Sequence, residues 1–491
     1  MSMPLDQLLP GLTGAAVPAG LVVDGLTLDS RAAQPGFAFV ALRGLNHHGL
    51  AFAADAVARG ACVVLAEMPA PADVAAPGVP VVWIDRLSAQ VGELAARFFD
   101  HPSQALRIVG VTGTNGKTST VQLVAQALQR LGHRAASIGT LGAGLVGQLD
   151  AGERTTPDAI RVQAQLARFR AAGASHVAME VSSHALAQGR VNAVRFEVAA
   201  FTNLTRDHLD YHGTMEAYGE AKAQLFAWPE LRSAVVNVDD AFGATLVQRL
   251  PGPVQRLRTS AAGDADAEVR ATEIVTSGEG LAFQLHTPWG SRAIRSPLLG
   301  RFNVANLLTV AACLGALGEP FEQVVETLAA LAPVNGRMNR LGDGLRQPLV
   351  VVDYAHTPDA LEQALTALRA HCAGRLICVF GCGGERDAGK RPLMGALAER
   401  LADLAIVTDD NPRGESGDAI VAQIASGFAD PSRAVVERDR ERAIRQALTL
   451  ADAGDVVLIA GKGHENYQEG AGGRRPFDDM DVARRALEAE A

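Results

Sequence analysis

Cysteine is sparse: five in 491 residues, Cys62, Cys313, Cys372, Cys378 and Cys382, odd in number and scattered, which resembles neither a disulfide framework nor a zinc site. Cys378 and Cys382 straddle an apolar strand pattern and the loop after it, where small buried hydrophobes are expected. A basic excess is missing too. The formal charge of −9 argues against a general nucleic-acid surface, so any bound nucleotide is expected to be a small one. The longest apolar tract, Val304 to Leu317, is broken by Asn306 and Thr309 and is too short to span a bilayer. Met1-Ser2-Met3-Pro4-Leu5-Asp6 has neither the basic start nor the apolar core of a secretory signal. Fixed-period repeats and long low-complexity segments are also lacking. A soluble, cytoplasmic protein without membrane insertion is expected. What is present is 48% hydrophobic and 20% charged residues, enough to bury large cores, at a length that suggests roughly three domains.

Residues 1–102 alternate short β-like runs (21–23, 37–42, 62–65, 81–84) with Ala-rich helical stretches, the pattern of a small α/β domain. Helical periodicity over Leu87 to Phe99 ends at His101-Pro102-Ser103, a linker. Residues 103–333 open with a strand over Arg107–Thr112 and continue with strand patterns at 176–181, 198–202 and 234–238, with helices between several of them, as in a mostly parallel sheet. Residues 334–491 carry strand patterns at 349–353, 375–380, 404–407, 434–436 and 455–460 separated by helices, the pattern of a doubly wound, Rossmann-like sheet. The expected fold class is therefore α/β in three domains.

Two segments compete as a phosphate loop. Gly384-Glu385-Arg386-Asp387-Ala388-Gly389-Lys390-Arg391 has the glycine and lysine spacing but ends in Arg391 where a hydroxyl should hold magnesium. Gly113-Thr114-Asn115-Gly116-Lys117-Thr118 lacks the outer glycine, having Val111 there, but keeps lysine and hydroxyl between a strand and the helix over Lys117 to Leu131. That order aims backbone N–H groups and a helix N-terminus at one spot. Lys117 can neutralise outer phosphates and Thr118 can ligate a metal, so the central segment is the better nucleotide site.

Further on, Glu180-Val181-Ser182-Ser183-His184 and Asn203-Leu204-Thr205-Arg206-Asp207-His208-Leu209-Asp210-Tyr211-His212 place acids and histidines at two strand ends, as a site would. Thr214 can cap a helix reaching Trp228 that puts Tyr218, Lys222, Leu225 and Phe226 on one face. A lysine there ordinarily snorkels to water; the alternative is a neutral amine, able to take up carbon dioxide as a carbamate. Asp409-Asp410-Asn411-Pro412-Arg413 follows a short apolar strand. It reads either as an Asx-Pro turn with a solvated arginine or as an amino-acid site, with acceptors for an ammonium beside a fork for a carboxylate.

Thr112 to Thr118, Glu180 to His184, Asn203 to His212, Gly300-Arg301-Phe302-Asn303, Asn335-Gly336-Arg337-Met338 and Asp353-Tyr354-Ala355-His356-Thr357-Pro358, in this order along nearly the whole chain, resemble the Mur ligases, ATP-dependent amide-forming enzymes of peptidoglycan precursor synthesis. Within that family Asp410-Asn411-Pro412-Arg413 is similar to the signature of members that add meso-diaminopimelate to UDP-N-acetylmuramoyl-L-alanyl-D-glutamate. The resemblance implies ATP and Mg2+ at Gly113, Thr114, Asn115, Gly116, Lys117 and Thr118, with Glu180, His208 and Lys222 (as a carbamate) completing the catalytic and metal set. It implies nucleotide contacts at Asn303, Arg337 and Asp353. The UDP-muramoyl dipeptide would be met by Ser30, Asn46, His47, Thr155, Thr156, Ser182, Gln188 and Arg190, and diaminopimelate by Arg386, Asp410, Asn411, Arg413, Gly461 and Glu465. In domain terms, 1–102 would bind the UDP-sugar-peptide, 103–333 ATP and 334–491 the amino acid, in a monomer whose domains close.

The implied chemistry is activation of the glutamyl carboxylate as an acyl phosphate, attack by a diaminopimelate amine, and loss of phosphate. A ligase of the same superfamily acting with lysine, or a folylpolyglutamate synthetase, is the nearest alternative. A nucleotide-binding module without chemistry is the other, disfavoured by the acids, histidines and lysine near the phosphate loop.

Overall fold

The computed structural model describes residues 2–44, 47–71, 77–152, 154–342 and 344–490. They form two compact units, residues 1–259 with 312–318, and residues 260–311 with 319–491.

In the first unit, parallel strands Gly25–Thr27, Phe37–Ala41, Val63–Glu67 and Val81–Ile84 make a small sheet in chain order. Val63 to Glu67 is buried throughout, as expected of a parallel strand covered on both faces. The helix Leu87–Phe98 lays Leu87, Val91, Leu94, Ala95 and Phe98 against this sheet, where Ala159 and Ile160 join the same core. The larger sheet of this unit runs Gln148–Asp150, Gly142–Leu145, Ala135–Gly139, His176–Glu180, Arg107–Thr112, Val198–Phe201, Ser233–Asn237, Gln255–Ser260. From Ala135–Gly139 onward its neighbours are parallel. Its core holds Ile108, Val177, Met179, Ala199, Phe201 and Val236. The carboxyl ends of Arg107–Thr112, His176–Glu180 and Val198–Phe201 therefore lie side by side.

The helix capped by Thr214, whose hydroxyl accepts from Ala217 N at 3.2 Å, runs Met215–Ala223 and tightens to a 3-10 turn at Gln224–Ala227. Tyr218, Lys222, Leu225 and Phe226 all face inward.

The second unit holds an antiparallel meander, Val269–Ser277, Gly280–Thr287 and Gly290–Ser296, not expected from the sequence. Its larger sheet runs Asn339–Leu341, Leu349–Asp353, Val456–Ala460, Leu376–Phe380, Leu404–Val407, Ala434–Val436. All pairs are parallel except the short Asn339–Leu341 edge. The last strand inserts between the first two long ones, so the loops after Asp353, Phe380, Val407 and Ala460 share one carboxyl edge, where open α/β sheets bind ligands. Cys378 and Cys382 lie buried in the apolar core below that edge. Among the described residues, no helix is long and apolar enough to cross a membrane.

Candidate active site

The Gly113–Thr118 loop is shaped by two glycines and by the neighbouring strand end. Gly113 has φ 147°, and a Cβ there would overlap the Thr202 hydroxyl; Gly116 has φ 83° just before the helix Lys117–Arg130. Thr202 Oγ1 donates to Asn115 O at 2.6 Å, Thr114 N donates to Asn203 O at 2.8 Å, and Asn115 N donates to Asn203 Oδ1 at 2.9 Å. Lys117 Nζ folds over the loop to Gly113 O (2.9 Å) and Thr114 O (2.8 Å).

Lys222 Nζ reaches the same Gly113 carbonyl at 2.8 Å and sits 4.1 Å from the centroid of the Tyr218 ring. The snorkelling expected of an isolated lysine on a helix is thus overturned: the side chain is 1% exposed and points into the loop. Burial, with the nearby Lys117 charge, pushes its amine down to about 6. Burial likewise raises the Tyr218 phenol to about 12, and its hydroxyl lies 3.2 Å from Thr114 Oγ1.

Glu180, buried at the end of its strand, joins several loops. Its Oε2 accepts from Thr118 Oγ1 (3.1 Å) and Thr140 Oγ1 (3.2 Å), and its Oε1 from Thr140 N (2.8 Å). Thr140 Oγ1 also lies 3.0 Å from Thr155 Oγ1. The Glu180 backbone carbonyl accepts from Thr156 Oγ1 (2.9 Å), which in turn accepts from Ser182 N (3.1 Å). Arg190 extends this set: Nη1 donates to Thr156 O (3.0 Å) and Nε to Gln188 Oε1 (2.9 Å). Lys117, Thr118, Glu180, Lys222, Thr155, Thr156, Ser182, Gln188 and Arg190 are therefore brought together, with Thr140 and Thr202 as members that the sequence reading missed.

The histidines flank this network. His184 packs 4.8 Å from His208 and 4.3 Å from Tyr211, and burial, then His208 and His212, lowers its basicity. His208 sits in the left-handed region at φ 52°, half exposed, 3.4 Å from Asp207. It makes no hydrogen bond to Thr118 or Glu180 among the described residues. Ser30 is buried in a short turn capped by Asp29, whose carboxyl the Arg31 hydrogen bonds hold down at about 2. Neither Ser30 nor His47 bonds the Thr155–Arg190 set among the described residues, and Asn46 lies outside them.

At the carboxyl edge of the second unit, Asp410, Asn411, Gly461 and Glu465 come together around a residue not singled out from the sequence, Lys462. Its Nζ donates to Asn411 Oδ1 (3.0 Å) and Glu465 Oε2 (3.2 Å) and lies 3.6 Å from Asp410 Oδ1. Asn411 Nδ2 donates to the same Glu465 oxygen at 2.9 Å. Arg413, at φ 53°, is not a solvated turn residue. Its side chain is 19% exposed, with Nη1 on Gly384 O at 2.8 Å and Nε 3.5 Å from Glu469. Asp409 is paired elsewhere, with both its oxygens accepting from Arg438 at 2.6 and 2.8 Å. Below the loops, Arg440 pairs with Asp479 at 2.7 and 2.8 Å, both 0% exposed, and donates to Ala460 O at 3.0 Å. Arg386 is exposed and makes no hydrogen bond among the described residues.

The rival glycine loop is held otherwise. Arg391 is buried on Glu415 (2.9 Å), and Lys390 Nζ bonds His356 O (2.7 Å), so two of its basic residues are committed within the fold. Arg337 and Asp353 meet around Tyr354. The guanidinium stacks 5.0 Å from that ring, and Asp353 Oδ2 accepts from Met338 N (2.9 Å), with burial raising its carboxyl against the pull of Arg337. Asn303 is bound within its own helix turn, to Leu299 O (2.7 Å) and Asn306 (2.8 Å), with no bond to Arg337 or Asp353 among the described residues.

Comparison with known proteins places this geometry. Residues 22–99 match the Mur ligase family catalytic domain, 111–314 the Mur ligase middle domain, and 336–463 the Mur ligase glutamate ligase domain. The chain belongs to the Mur ligase family. It therefore has the three-domain Mur ligase fold of mixed α/β domains with parallel sheets. It is 58% identical, over 99% of its length and 97% of the relative's, to the UDP-N-acetylmuramoyl-L-alanyl-D-glutamate--2,6-diaminopimelate ligase of Xanthomonas campestris pv. campestris. A solved structure of a ligase with the same name matches with TM-score 0.75 and 39% identity, covering 100% of this chain and 99% of that one. The MurF ligase of Thermotoga maritima in complex with ADP shares the fold at TM-score 0.64 and 18% identity, over 95% and 98% of the two chains.

Proposed function

We propose that this Mur ligase joins meso-diaminopimelate to UDP-N-acetylmuramoyl-L-alanyl-D-glutamate in the cytoplasm, with ATP cleaved to ADP and phosphate. The observation that carries the reading is the Asp410–Asn411–Arg413–Glu465 cluster, which offers carboxylate oxygens for an ammonium and a guanidinium for a carboxylate on one sheet edge. Relatives of that name at 58% identity support the same substrates. Residues 1–102, 103–333 and 334–491 are assigned to the UDP-sugar-peptide, ATP and amino acid respectively, in a monomer.

The Gly113–Thr118 loop and Lys117 bind the phosphates, supported by the positive-φ glycines and the helix start. Asn303, Arg337 and Asp353 contact the rest of the nucleotide. Thr118 Oγ1 and Glu180 Oε2, 3.1 Å apart, are hard oxygen donors that fit magnesium. His208 and a Lys222 carbamate would complete that set around the ion, and the buried, proton-poor Lys222 amine suits carbamate formation. When bound, magnesium supplies positive charge against the transferring phosphoryl group. Ser30, Asn46, His47, Thr155, Thr156, Ser182, Gln188 and Arg190 orient the acceptor so that its glutamyl carboxylate meets the γ-phosphorus. The carboxylate displaces ADP to give an acyl phosphate. A neutral diaminopimelate amine, held by Arg386, Asp410, Asn411, Arg413, Gly461 and Glu465, then attacks the acyl carbon and phosphate leaves.

The test incubates the full chain with ATP, magnesium, the UDP-muramoyl dipeptide and either meso-diaminopimelate or L-lysine, following ADP release and product mass. Diaminopimelate-dependent ADP release with one amide formed is expected. Absence of amino-acid-dependent release refutes the ligase reading, and preference for lysine refutes the specificity. Lysine lacks the second carboxylate that diaminopimelate offers to Arg413, so it forgoes a charge-assisted bond of about 1–3 kcal/mol.

A further inference from the structure

We infer that Lys462 is a positioning residue for the amino-acid substrate, fixing the Asn411 amide and the Glu465 carboxylate in their receiving arrangement. The inference rests on the diaminopimelate reading of this edge and deepens it.

Lys462 is 0% exposed, in the loop directly after the strand Val456–Ala460. A buried ammonium needs acceptors, and among the described residues those around this one belong to the proposed substrate site: Asn411 Oδ1, Glu465 Oε2 and Asp410 Oδ1. The Tyr467 ring, 5.4 Å away, closes another side. The amide orientation follows from the donors. Asn411 Oδ1 receives both Lys462 Nζ and Glu469 N (2.9 Å), so a flipped amide would set its NH2 against two donors. Nδ2 is thereby aimed at Glu465 Oε2, the oxygen that Lys462 also holds. Glu465 Oε1 makes no hydrogen bond among the described residues and is the oxygen left to accept from an ammonium.

Charge points the same way. Asp410 Oδ1 is buried without a hydrogen bond, with Lys462 Nζ 3.6 Å away, while the Arg440 guanidinium, paired to Asp479, also attracts Asp410 and Glu465 through space. Two carboxylates and one ammonium leave one net negative charge, matched to one substrate ammonium. Without Lys462 the two carboxylates lose the only ammonium that contacts both among the described residues, and the Asn411 amide loses one of the two donors that orient it.

The experiment uses the full chain as Lys462→Met, Glu465→Gln and the double variant, with KM measured separately for ATP, UDP-muramoyl dipeptide and meso-diaminopimelate. Lys462→Met is expected to raise the diaminopimelate KM at least tenfold while the other two KM values stay within twofold. In the Glu465→Gln background the same change is expected to raise it by a clearly smaller factor, because one of the two groups it positions is already gone while its hold on Asn411 remains. Foldedness is read as the rise in melting temperature with an ATP analogue. If Lys462→Met lacks that rise, Lys462→Gln, which keeps a donor but loses the charge, is read against the same criteria. An unchanged diaminopimelate KM, equal rises for all three substrates, or independent effects in the double variant overturn the inference. A wild-type chain without diaminopimelate-dependent ADP release overturns instead the functional reading beneath it.

Discussion

Arg440→Met should separate the stability of the proposed amino-acid edge from that of the proposed phosphate loop. Arg440 and Asp479 are each 0% exposed and joined by two bonds of 2.7 and 2.8 Å, so the variant strands a carboxylate in the interior. Breaking such a pair from one side costs about 3–5 kcal/mol. The lost bond from Arg440 Nη2 to Ala460 O, at 3.0 Å, adds about 1–2 kcal/mol. At about 2–4 °C per kcal/mol for a domain of this size, the C-terminal domain's melting transition should fall by roughly 8–28 °C. Because Arg440 braces the carbonyl just before Gly461, the diaminopimelate KM should rise with it. Differential scanning calorimetry with and without an ATP analogue checks this, and the analogue should still stabilise the central domain. Arg440→Met/Asp479→Leu removes both ions and should recover most of the loss. A single-variant shift under about 4 °C, or a double variant as unstable as the single one, refutes the reasoning.

Gly113→Ala should weaken ATP binding at least tenfold in calorimetric titration, since its Cβ overlaps the Thr202 hydroxyl that holds Asn115 O. Restoration by adding Thr202→Ala would show that crowding, and not the φ of 147°, is decisive. Arg413→Ala should lose the preference for diaminopimelate over lysine before it loses ATP binding, read as the ratio of kcat/KM values. Acid should destabilise the first unit through His176, which is 3% exposed and whose basicity burial, then the His133 charge, lowers from 6.5 to about 4. The folded ring stays neutral while the unfolded one takes a proton, so stability is full above pH 6.5 and falls as pH drops towards 4. The loss is roughly 3 kcal/mol. Urea midpoints at pH 7 and pH 4.5 check it, and a His176→Phe variant with an undiminished acid loss would assign the effect elsewhere.

What could be seen in the chain follows the range of each interaction. The Gly113–Thr118 loop and Glu180 were legible because strand, turn and helix are local patterns, and a carboxylate ending an apolar run is conspicuous. The carboxyl-edge loops were legible for the same reason. Thr140, Thr202 and Lys462 were not, since each acts through partners tens of residues away: Thr140 and Glu180 are separated by 40 positions, and Lys462 and Asn411 by 51. The meander Val269–Ser277, Gly280–Thr287, Gly290–Ser296 escaped because one face is polar. Val269 and Ala271 are buried while Arg270 and Thr272 are not, so no continuous apolar run marks it. Helical spacing put Lys222 on the inward face, yet whether its amine turned back to water depended on Gly113, 109 residues earlier. The same holds for Asp409, whose carboxylate is spoken for by Arg438.

Glu180 has one further consequence, a thermodynamic one. Its carboxylate is shared by Thr118 and Thr140, and its backbone carbonyl holds Thr156, so the proposed nucleotide and acceptor sites meet in a single residue. A ligand that draws Thr156 towards itself shifts the group that sets the Thr118 hydroxyl, and the reverse holds equally. Linkage then requires reciprocity: by whatever factor the muramoyl dipeptide tightens or loosens the nucleotide, the nucleotide must change the dipeptide's affinity by the same factor.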